Sequence, residues 1–253
     1  MQLRFLAVVL MFASANPLIA SAEAPHRDVY VLKSSGVCDG CAEAISQMLF
    51  TAGIHSQILG PSELKGAVKE NDVLIIGGGI PGGEGEWTIK QDLMKAQAFG
   101  WLKRFIAGGG HYIGICAGAY LAEEWIDEKN AIHGLNIFPG KIDNYSHQDK
   151  AAKVLLTEWK SAANPHRYVY FQDGPAFYPA AGADLTVLGS FAEDHTAAAV
   201  TFPYGRGQVL LLSPHLEASR EWTKGDHLRD PDGIDYDLGI ELMRPLIAIK
   251  GEN

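Results

Sequence analysis

The sequence has little cysteine and little positive charge. Three cysteines in 253 residues are too few for a disulfide framework. The 30 acidic residues outnumber the 21 lysines and arginines, and the formal net charge of −9 argues against nucleic acid as a partner, since an acidic surface repels phosphates. Six of the nine histidines, namely His111, His133, His147, His166, His195 and His227, show no metal-ligand spacing, so we expect no metal site. We expect no cofactor either. The hydrophobic content of 47% excludes disordered, collagen-like and disulfide-rich classes and indicates a globular protein.

The N-terminus has the pattern of a secretory signal peptide. Arg4 gives a basic start, residues 5–12 form a short apolar run, and Ala20-Ser21-Ala22 is a cleavage site of small residues. An uncleaved N-terminal anchor is the alternative, although the apolar run is too short to cross a bilayer. Cleavage after Ala22 predicts an exported protein, periplasmic or secreted, in a compartment that permits disulfides. The mature chain, 23–253, is expected to form one domain without a membrane span.

Short apolar runs alternate with segments of helical periodicity in the first half of the mature chain. We predict strands over 28–32, 54–59, 72–76 and 112–115, and helices over 41–52, 88–107 and 117–125. The run at 72–76 is fully apolar, which is typical of a buried parallel strand. Strand–helix alternation with glycine-rich turns predicts an α/β fold, a doubly wound parallel sheet with helices on both faces.

The second half of the chain is less regular. Its predicted elements are strands at 154–157, 168–171 and 185–188, a hairpin of 197–202 with 208–212, and a final helix over 234–249. Residues 126–190 are therefore interpreted as an antiparallel β excursion attached to the sheet. The acidic stretch 226–237 is interpreted as a solvated connection into the final helix.

The sharpest local motif is Gly114-Ile115-Cys116-Ala117-Gly118, at the end of a predicted strand and the start of a predicted helix. Glycines two residues before and after a nucleophile permit the tight turn that a bulkier side chain would block. Such a turn lifts Cys116 above the carboxyl edge of the sheet, where open α/β folds bind ligands. The helix N-terminus favours the thiolate, and the amide of Ala117 would point at a developing oxyanion. A small buried cysteine in the same turn is the alternative interpretation.

Two further motifs support a nucleophile at Cys116. Gly77-Gly78-Gly79 follows the third predicted strand and can offer a second backbone N–H at the same sheet edge, although alone it indicates only a flexible turn. His215 and Glu217 follow another apolar run, and residues two apart in an extended chain project to one side. A thiol nucleophile needs a base, and the base needs an orienting acid. The three positions predict a Cys–His–Glu triad with each member at the end of a strand.

The elbow with its run-up, residues 109–120, resembles the class I glutamine amidotransferase-like superfamily. More narrowly, it resembles the branch found as the N-terminal domain of some biotin-protein ligases. The likeness extends through 29–32, 73–79, Phe138-Pro139-Gly140, Gly174-Pro175-Ala176-Phe177 and Pro214-His215-Leu216-Glu217. The resemblance implies a flavodoxin-like doubly wound parallel sheet for the fold.

The same resemblance implies a role for each site residue. It makes Cys116 the nucleophile, His215 the base and Glu217 the acid that orients the base. It also makes the amides of Gly79 and Ala117 the oxyanion donors. The sequence departs from the family pattern in two places. This chain has His-Leu-Glu at 215–217 where the family has His-Pro-Glu, and it has three glycines at 77–79 where the family has Pro-Gly-Gly.

Two functions of different classes follow. The first is an exported cysteine hydrolase in which a small-molecule or peptide-like amide forms a thioester at Cys116 that water then hydrolyses. The second is a non-catalytic binding or regulatory domain that retains the amidotransferase fold, because fold does not fix function. Gln172 and Asp173, before a Gly-Pro pair, are either part of the pocket wall or only part of a turn.

Cys38-Asp39-Gly40-Cys41 lies between the first strand and the first helix, and so at the same sheet edge as Cys116. In an exported protein the pair is a candidate for a local disulfide, and a zinc site would need more ligands. The third hypothesis is a redox-active pair at a helix N-terminus with which Cys116 exchanges. Direct exchange requires the Cα atom of Cys116 to come within about 7 Å of that of Cys38 or Cys41.

Overall fold

A mixed sheet of eleven strands organises the residues that the computed structural model describes, which are 27–80, 84–123, 126–127, 132–145, 150–161, 163 and 165–248. The predicted signal peptide, 1–22, lies outside the described residues, and so do parts of the predicted antiparallel excursion.

The chain alternates between strands and helices as far as Tyr120 and then consists mostly of strands. The strands are β1 (Val29–Leu32), β2 (Ser56–Leu59), β3 (Val73–Ile76), β4 (His111–Ile115), β5 (Ile126–Asp127), β6 (Ile132–His133), β7 (Gly140–Asn144), β8 (Lys153–Trp159), β9 (His166–Phe171), β10 (Pro175–Pro179), β11 (Thr186–Phe191), β12 (Ala197–Tyr204) and β13 (Gly207–Leu212). The helices are α1 (Cys41–Thr51), α2 (Leu64–Ala67), α3 (Gly85–Lys95), α4 (Phe99–Ala107), α5 (Ala117–Tyr120), α6 (Arg220–Gly225) and α7 (Tyr236–Ile247). None of these helices, within the described part of the chain, combines the length and the apolar composition that a membrane span requires.

The parallel half of the sheet has the strand order β2-β1-β3-β4-β13. This is the flavodoxin-like order, with β13 taking the fifth place after the long excursion. The predicted doubly wound parallel sheet is therefore confirmed. Because the strands are parallel, their carboxyl ends meet at one edge, and the loops after β1, β3, β4 and β13 lie side by side.

The antiparallel half continues from β13 through β12, β11, β8 and β9. The predicted hairpin is present, since β12 pairs with β13 in antiparallel register. β10 pairs with both β12 and β7, while β5 and β6 form a small sheet of their own. The predicted antiparallel excursion is thus confirmed as an extension of the same sheet.

Alternating side chains give the parallel strands a core on both faces. On one face Val31, Ile75 and Leu212 pack with the buried stripes of α1 and α7. On the other face Leu32 and Ile76 pack with the buried side chains of α3 and α4. The layered arrangement leaves the loops at the carboxyl edge free to form a site.

The continuous helix predicted over 88–107 is wrong. The structure has two helices, because α3 ends at Lys95 and α4 begins at Phe99. Gln97 between them has a φ of 55°, a left-handed conformation that a right-handed helix cannot contain. The apolar periodicity continues across this break, so periodicity alone did not reveal it.

The helix predicted over 117–125 is shorter than expected. α5 ends at Tyr120 and residues 121–123 form a turn, while 124–125 lie outside the described residues. The amide of Leu135 donates to the carbonyl of Leu121 at 2.8 Å, which fixes the returning segment beside the end of α5.

The prediction that 226–237 is a solvated connection is wrong for its last part. Arg167 of β9 is largely buried and donates from Nε to Asp235 and from Nη1 to Asp237, each at 3.0 Å. Asp235 is 3% exposed. Burial raises its pKa to about 7, although the Arg167 charge opposes that change. This buried ion pair fastens the start of α7 to β9.

Candidate active site

Cys116 stands at the sharp turn between β4 and α5. Its backbone has a φ of 49° and a ψ of −109°, a strained conformation of the kind that clusters at functional sites. A Cβ on Gly114 would lie 2.7 Å from the carbonyl oxygen of Gly118, and a Cβ on Gly118 would collide with the carbonyl of Ile76. The turn therefore has no room for a side chain at either glycine. Cys116 itself is 8% exposed.

The glycine loop after β3 lies directly against this turn. The amide of Gly118 donates to the carbonyl of Gly77 at 3.1 Å, and a Cβ on Gly79 would lie 2.8 Å from the Cβ of Ala117. Gly79 forms a β-bridge with Val37 in which the flanking residues make the hydrogen bonds, so its own N–H points away from Val37. The structure thus brings the two predicted oxyanion donors, Gly79 and Ala117, to the wall of one cleft.

His215 and Glu217 follow β13, the strand beside β4. The Nδ1 atom of His215 lies 2.8 Å from Oε1 of Glu217, and the two side chains are 5% and 0% exposed. The amide of His215 donates to the carbonyl of Tyr170 at 2.9 Å, which fixes this segment to β9. Cys116 lines the same cleft as His215, and its charge acts on the pKa of the imidazole. The structure therefore brings the predicted nucleophile, base and acid together, with the base and the acid hydrogen-bonded to each other.

Two opposing influences act on the pKa of His215. Burial alone would lower the pKa, but the charges of Glu217 and Cys116, together with the hydrogen bond to Glu217, raise it from 6.5 to about 10. The imidazole is therefore protonated at neutral pH and faces Cys116 as a cation. A neighbouring cation favours the thiolate form of a cysteine, which is the form that acts as a nucleophile.

Aromatic side chains and the glycine loop hold the imidazole in place. The ring of Tyr170 meets His215 edge-on at 5.9 Å between centroids, and Trp222 of α6 lies 5.5 Å from the same ring. The hydroxyl of Tyr170 donates to Asp226 at 2.7 Å. A Cβ on Gly78 would strike the imidazole, so the ring packs directly on the loop. Neither Tyr170 nor Trp222 lies in a sequence motif, and only the structure reveals their place.

The cleft around Cys116 contains about 600 Å³ of space, part of it open to solvent, and has charged walls. Lys150 Nζ lies 3.6 Å from Asp173 Oδ2. Burial raises the pKa of Glu86, and the nearby Asp173 raises it further. The carbonyl of Gln172 accepts a hydrogen bond from the Cys116 thiol at 3.6 Å. Gln172 and Asp173 thus belong to the wall, while Glu86 and Lys150 stand in no motif and were missed.

Cys38 and Cys41 form a disulfide after β1, with their Cα atoms 5.4 Å apart. Cys38 is half-buried and lines the cleft, whereas Cys41 is fully buried as the first residue of α1. Cys116 is a free thiol. Across the described ranges, no group of three or more His, Cys, Asp and Glu side chains is arranged to hold a metal ion.

A family model described as biotin-protein ligase, N terminal, matches residues 73–235, which is more than half of the chain. The biotin–protein ligase of Schizosaccharomyces pombe is 26% identical to this chain over 167 residues. That alignment covers 58% of this chain and 26% of the ligase, so the chain spans about a quarter of that relative's length.

Solved structures resemble the whole described domain. A crystal structure of a glutamine amidotransferase has a TM-score of 0.60 at 17% identity and covers 86% of this chain and 98% of that chain. A putative GMP synthase protein from Thermoplasma acidophilum has a TM-score of 0.54 at 15% identity, over 88% of this chain and 96% of that one. A cytoplasmic protein from Salmonella typhimurium has a TM-score of 0.52 at 14% identity, over 88% and 100% of the two chains. At these identities the likeness shows the fold alone, which is glutamine amidotransferase-like.

The region matched by the family model begins at β3 and ends just before α7, so it includes the elbow and the segment after β13. The match and the fold agree with the resemblance of the sequence motifs. The chain belongs to the family of biotin-protein ligase N-terminal domains.

Proposed function

We propose that this domain is a cysteine-dependent hydrolase that cleaves the C–N bond of carboxamide or peptide-like substrates. The observation that carries the proposal is the buried, hydrogen-bonded pair of His215 and Glu217 beside Cys116, which stands on a strained turn and lines a cleft. A cysteine with a purely structural role needs neither the strained backbone nor the buried charged pair beside it.

The proposed reaction has two steps. The Cys116 thiolate attacks the carbonyl carbon of the amide, and the amides of Gly79 and Ala117 stabilise the oxyanion. The protonated ring of His215 gives its proton to the leaving amine, which departs and leaves a thioester on Cys116. A water molecule that has lost a proton to His215 then hydrolyses the thioester. Glu217 keeps the imidazole oriented and stabilises its charge throughout.

The size and charges of the cleft support a small substrate. The enclosed part of the cleft has a volume of only about 90 Å³, which suits a small carboxamide or the end of a peptide rather than a folded protein. Glu86 and Asp173 present negative charge and Lys150 presents positive charge on the same wall. A glutamine-like or peptide-like amide carries an ammonium group, a carboxylate group or both, and so fits this combination.

We also propose that the domain works outside the cytoplasm, in the periplasm or as a secreted protein. The signal-peptide pattern of residues 1–22 supports export. The Cys38–Cys41 disulfide supports it too, because such bonds persist in oxidising compartments. Ammonia or an amine released there is not passed to a cytosolic synthetase.

A non-catalytic binding or regulatory domain is the second candidate function. One observation favours it, since the hydrogen bond from the Cys116 thiol to the carbonyl of Gln172 stabilises the neutral thiol rather than the thiolate. The ligase relative, of which this chain spans about a quarter, also contains sequence well beyond the matching region.

The experiment that separates the two candidates is an assay of the mature chain, 23–253, against glutamine, simple carboxamides and a peptide panel. We expect release of ammonia or amine by the natural sequence and loss of that release in Cys116→Ala, with an unchanged circular dichroism spectrum. His215→Ala is expected to lose activity as well. His195→Ala is the matched control, because that histidine is exposed and lies on the antiparallel half of the sheet.

Retained activity in Cys116→Ala would refute the hydrolase. A folded natural sequence that releases nothing from the whole panel supports the binding domain instead. In that case, the same substrates at saturating concentration are expected to raise the unfolding midpoint if they bind in the cleft.

A further inference from the structure

The Cys38–Cys41 disulfide is asymmetric toward the cleft. Cys38 is half-buried and lines the same cleft as Cys116, whereas Cys41 is fully buried beneath it. A thiol that enters the cleft can therefore reach one sulfur of the bond and not the other. In thiol–disulfide exchange, access decides which sulfur is attacked, and the second sulfur becomes the leaving group.

Cys41 is well placed to be that leaving group. It is the first residue of α1, an eleven-residue helix, so a thiolate released there lies at the positive end of the helix dipole. The turn before Cys41 is exposed at Asp39 and Gly40. Gly40 has a φ of 80°, a left-handed conformation that glycine adopts readily. Burial then favours uptake of a proton by the released Cys41.

Cys116 is a free thiol and is not bonded to Cys38 in this structure. Cys38 follows β1 and Cys116 follows β4, and these strands lie on opposite sides of β3. A thiol ligand in the cleft can reach Cys38, because that residue lines the cleft wall.

We propose that the Cys38–Cys41 disulfide is a thiol–disulfide exchange site that opens into the nucleophile cleft and takes small thiols. The thiolate of the ligand attacks Cys38 Sγ, a new sulfur–sulfur bond forms, and the Cys38–Cys41 bond breaks with its electron pair on Cys41. A second thiol then releases the ligand from Cys38 as a symmetric disulfide. Two thiols are oxidised, the protein disulfide is reduced, and the two protons end on Cys38 and Cys41.

This activity is independent of the proposed hydrolysis, but the two share a space. A ligand held on Cys38 occupies the wall that the substrate of Cys116 would contact. The mixed disulfide is therefore expected to slow both hydrolysis and alkylation at Cys116, and removal of the ligand is expected to restore them.

The test uses glutathione as the probe and mass mapping as the readout. The natural sequence is incubated natively with excess reduced glutathione, quenched with acid and digested. We expect reduction of the Cys38–Cys41 bond and a glutathione adduct on Cys38. Two double variants compare the sulfurs directly. Cys41→Ala with Cys116→Ala leaves only Cys38, and Cys38→Ala with Cys116→Ala leaves only Cys41. Both variants are exposed to glutathione disulfide. We expect Cys38 to gain glutathione at least about tenfold faster than Cys41.

The outcomes are separate from those of the hydrolase assay, because no amide substrate is present. Equal or faster labelling of Cys41 would overturn the proposal. So would a Cys38–Cys41 bond that stays oxidised in excess reduced glutathione while the protein remains folded. This last outcome does not depend on either variant's fold, since it uses the natural sequence.

Discussion

Replacing Glu217 by Gln tests how the active histidine is charged. Glutamine has nearly the same shape, so the change removes the negative charge 2.8 Å from the His215 ring while a hydrogen-bonding oxygen remains. An opposite charge at this distance moves a pKa by roughly 1 to 3 pH units. We therefore expect the pKa of His215 to fall from about 10 by that amount, because burial then acts with less opposition. An NMR titration of the imidazole between pH 5 and 11 measures the change.

The same variant makes a signed prediction for stability. A histidine whose pKa is raised by folding stabilises the protein fully below pH 6.5, and this contribution disappears as the pH rises through about 10. Loss of one partner of a buried charged pair costs about 3–5 kcal/mol. We expect Glu217→Gln to show that deficit in urea unfolding at pH 6 and a much smaller one near pH 10.

The exposed Glu221 of α6 provides the control. Glu221→Gln is expected to change neither the titration of His215 nor the unfolding free energy at either pH. An unchanged pKa of His215 in Glu217→Gln, or an equal deficit at both pH values, would refute the electrostatic account of the pair.

Two further predictions concern the fold around the site. Gly118→Ala is expected to cost about 2 kcal/mol or more of unfolding free energy in urea and to slow alkylation of the elbow thiol, because its Cβ meets backbone. A Cβ on Gly66 in α2 would meet nothing within 4 Å, so Gly66→Ala is expected to raise the unfolding free energy by about 0.4–1 kcal/mol. Equal changes in stability in Gly118→Ala and Gly66→Ala would contradict the steric reasoning. Arg167→Met leaves Asp235 buried without its partner and is expected to cost about 3–5 kcal/mol by the same measurement. Arg206→Met removes an exposed pair and is expected to leave stability nearly unchanged, and a small loss at Arg167 would contradict the role of the buried pair.

The parallel sheet and the elbow could be predicted from the sequence because short-range rules determine them. Buried parallel strands are continuous apolar runs, and the chain order of strands and helices limits the topology. The requirement for glycine at 114 and 118 is likewise local, and the structure shows the contacts that impose it. The positions of Cys116 and His215 at neighbouring strand ends follow from the strand order.

The features that escaped prediction depend on distant parts of the chain. Arg167 and Asp235 are 68 residues apart, so the acidic stretch reads as solvated until β9 is placed beside it. Glu86 and Trp222 reach the cleft from helices that carry no chemical motif. The break between α3 and α4 depends on the backbone of Gln97, a residue type that gives no such signal.

The most direct test of the central claim is the alkylation rate of Cys116 by iodoacetamide as a function of pH. A free cysteine with a pKa of about 8.5 is only about 1% thiolate at pH 6.5. If the protonated His215 holds Cys116 as a thiolate, its rate at pH 6.5 exceeds that of free cysteine by at least about tenfold, after allowance for the lower nucleophilicity of such thiolates. His215→Ala is expected to return the rate to that of free cysteine. A natural sequence that already follows the free-cysteine profile, or whose Cys116 does not react while folded, contradicts the claim that this cysteine is an activated nucleophile.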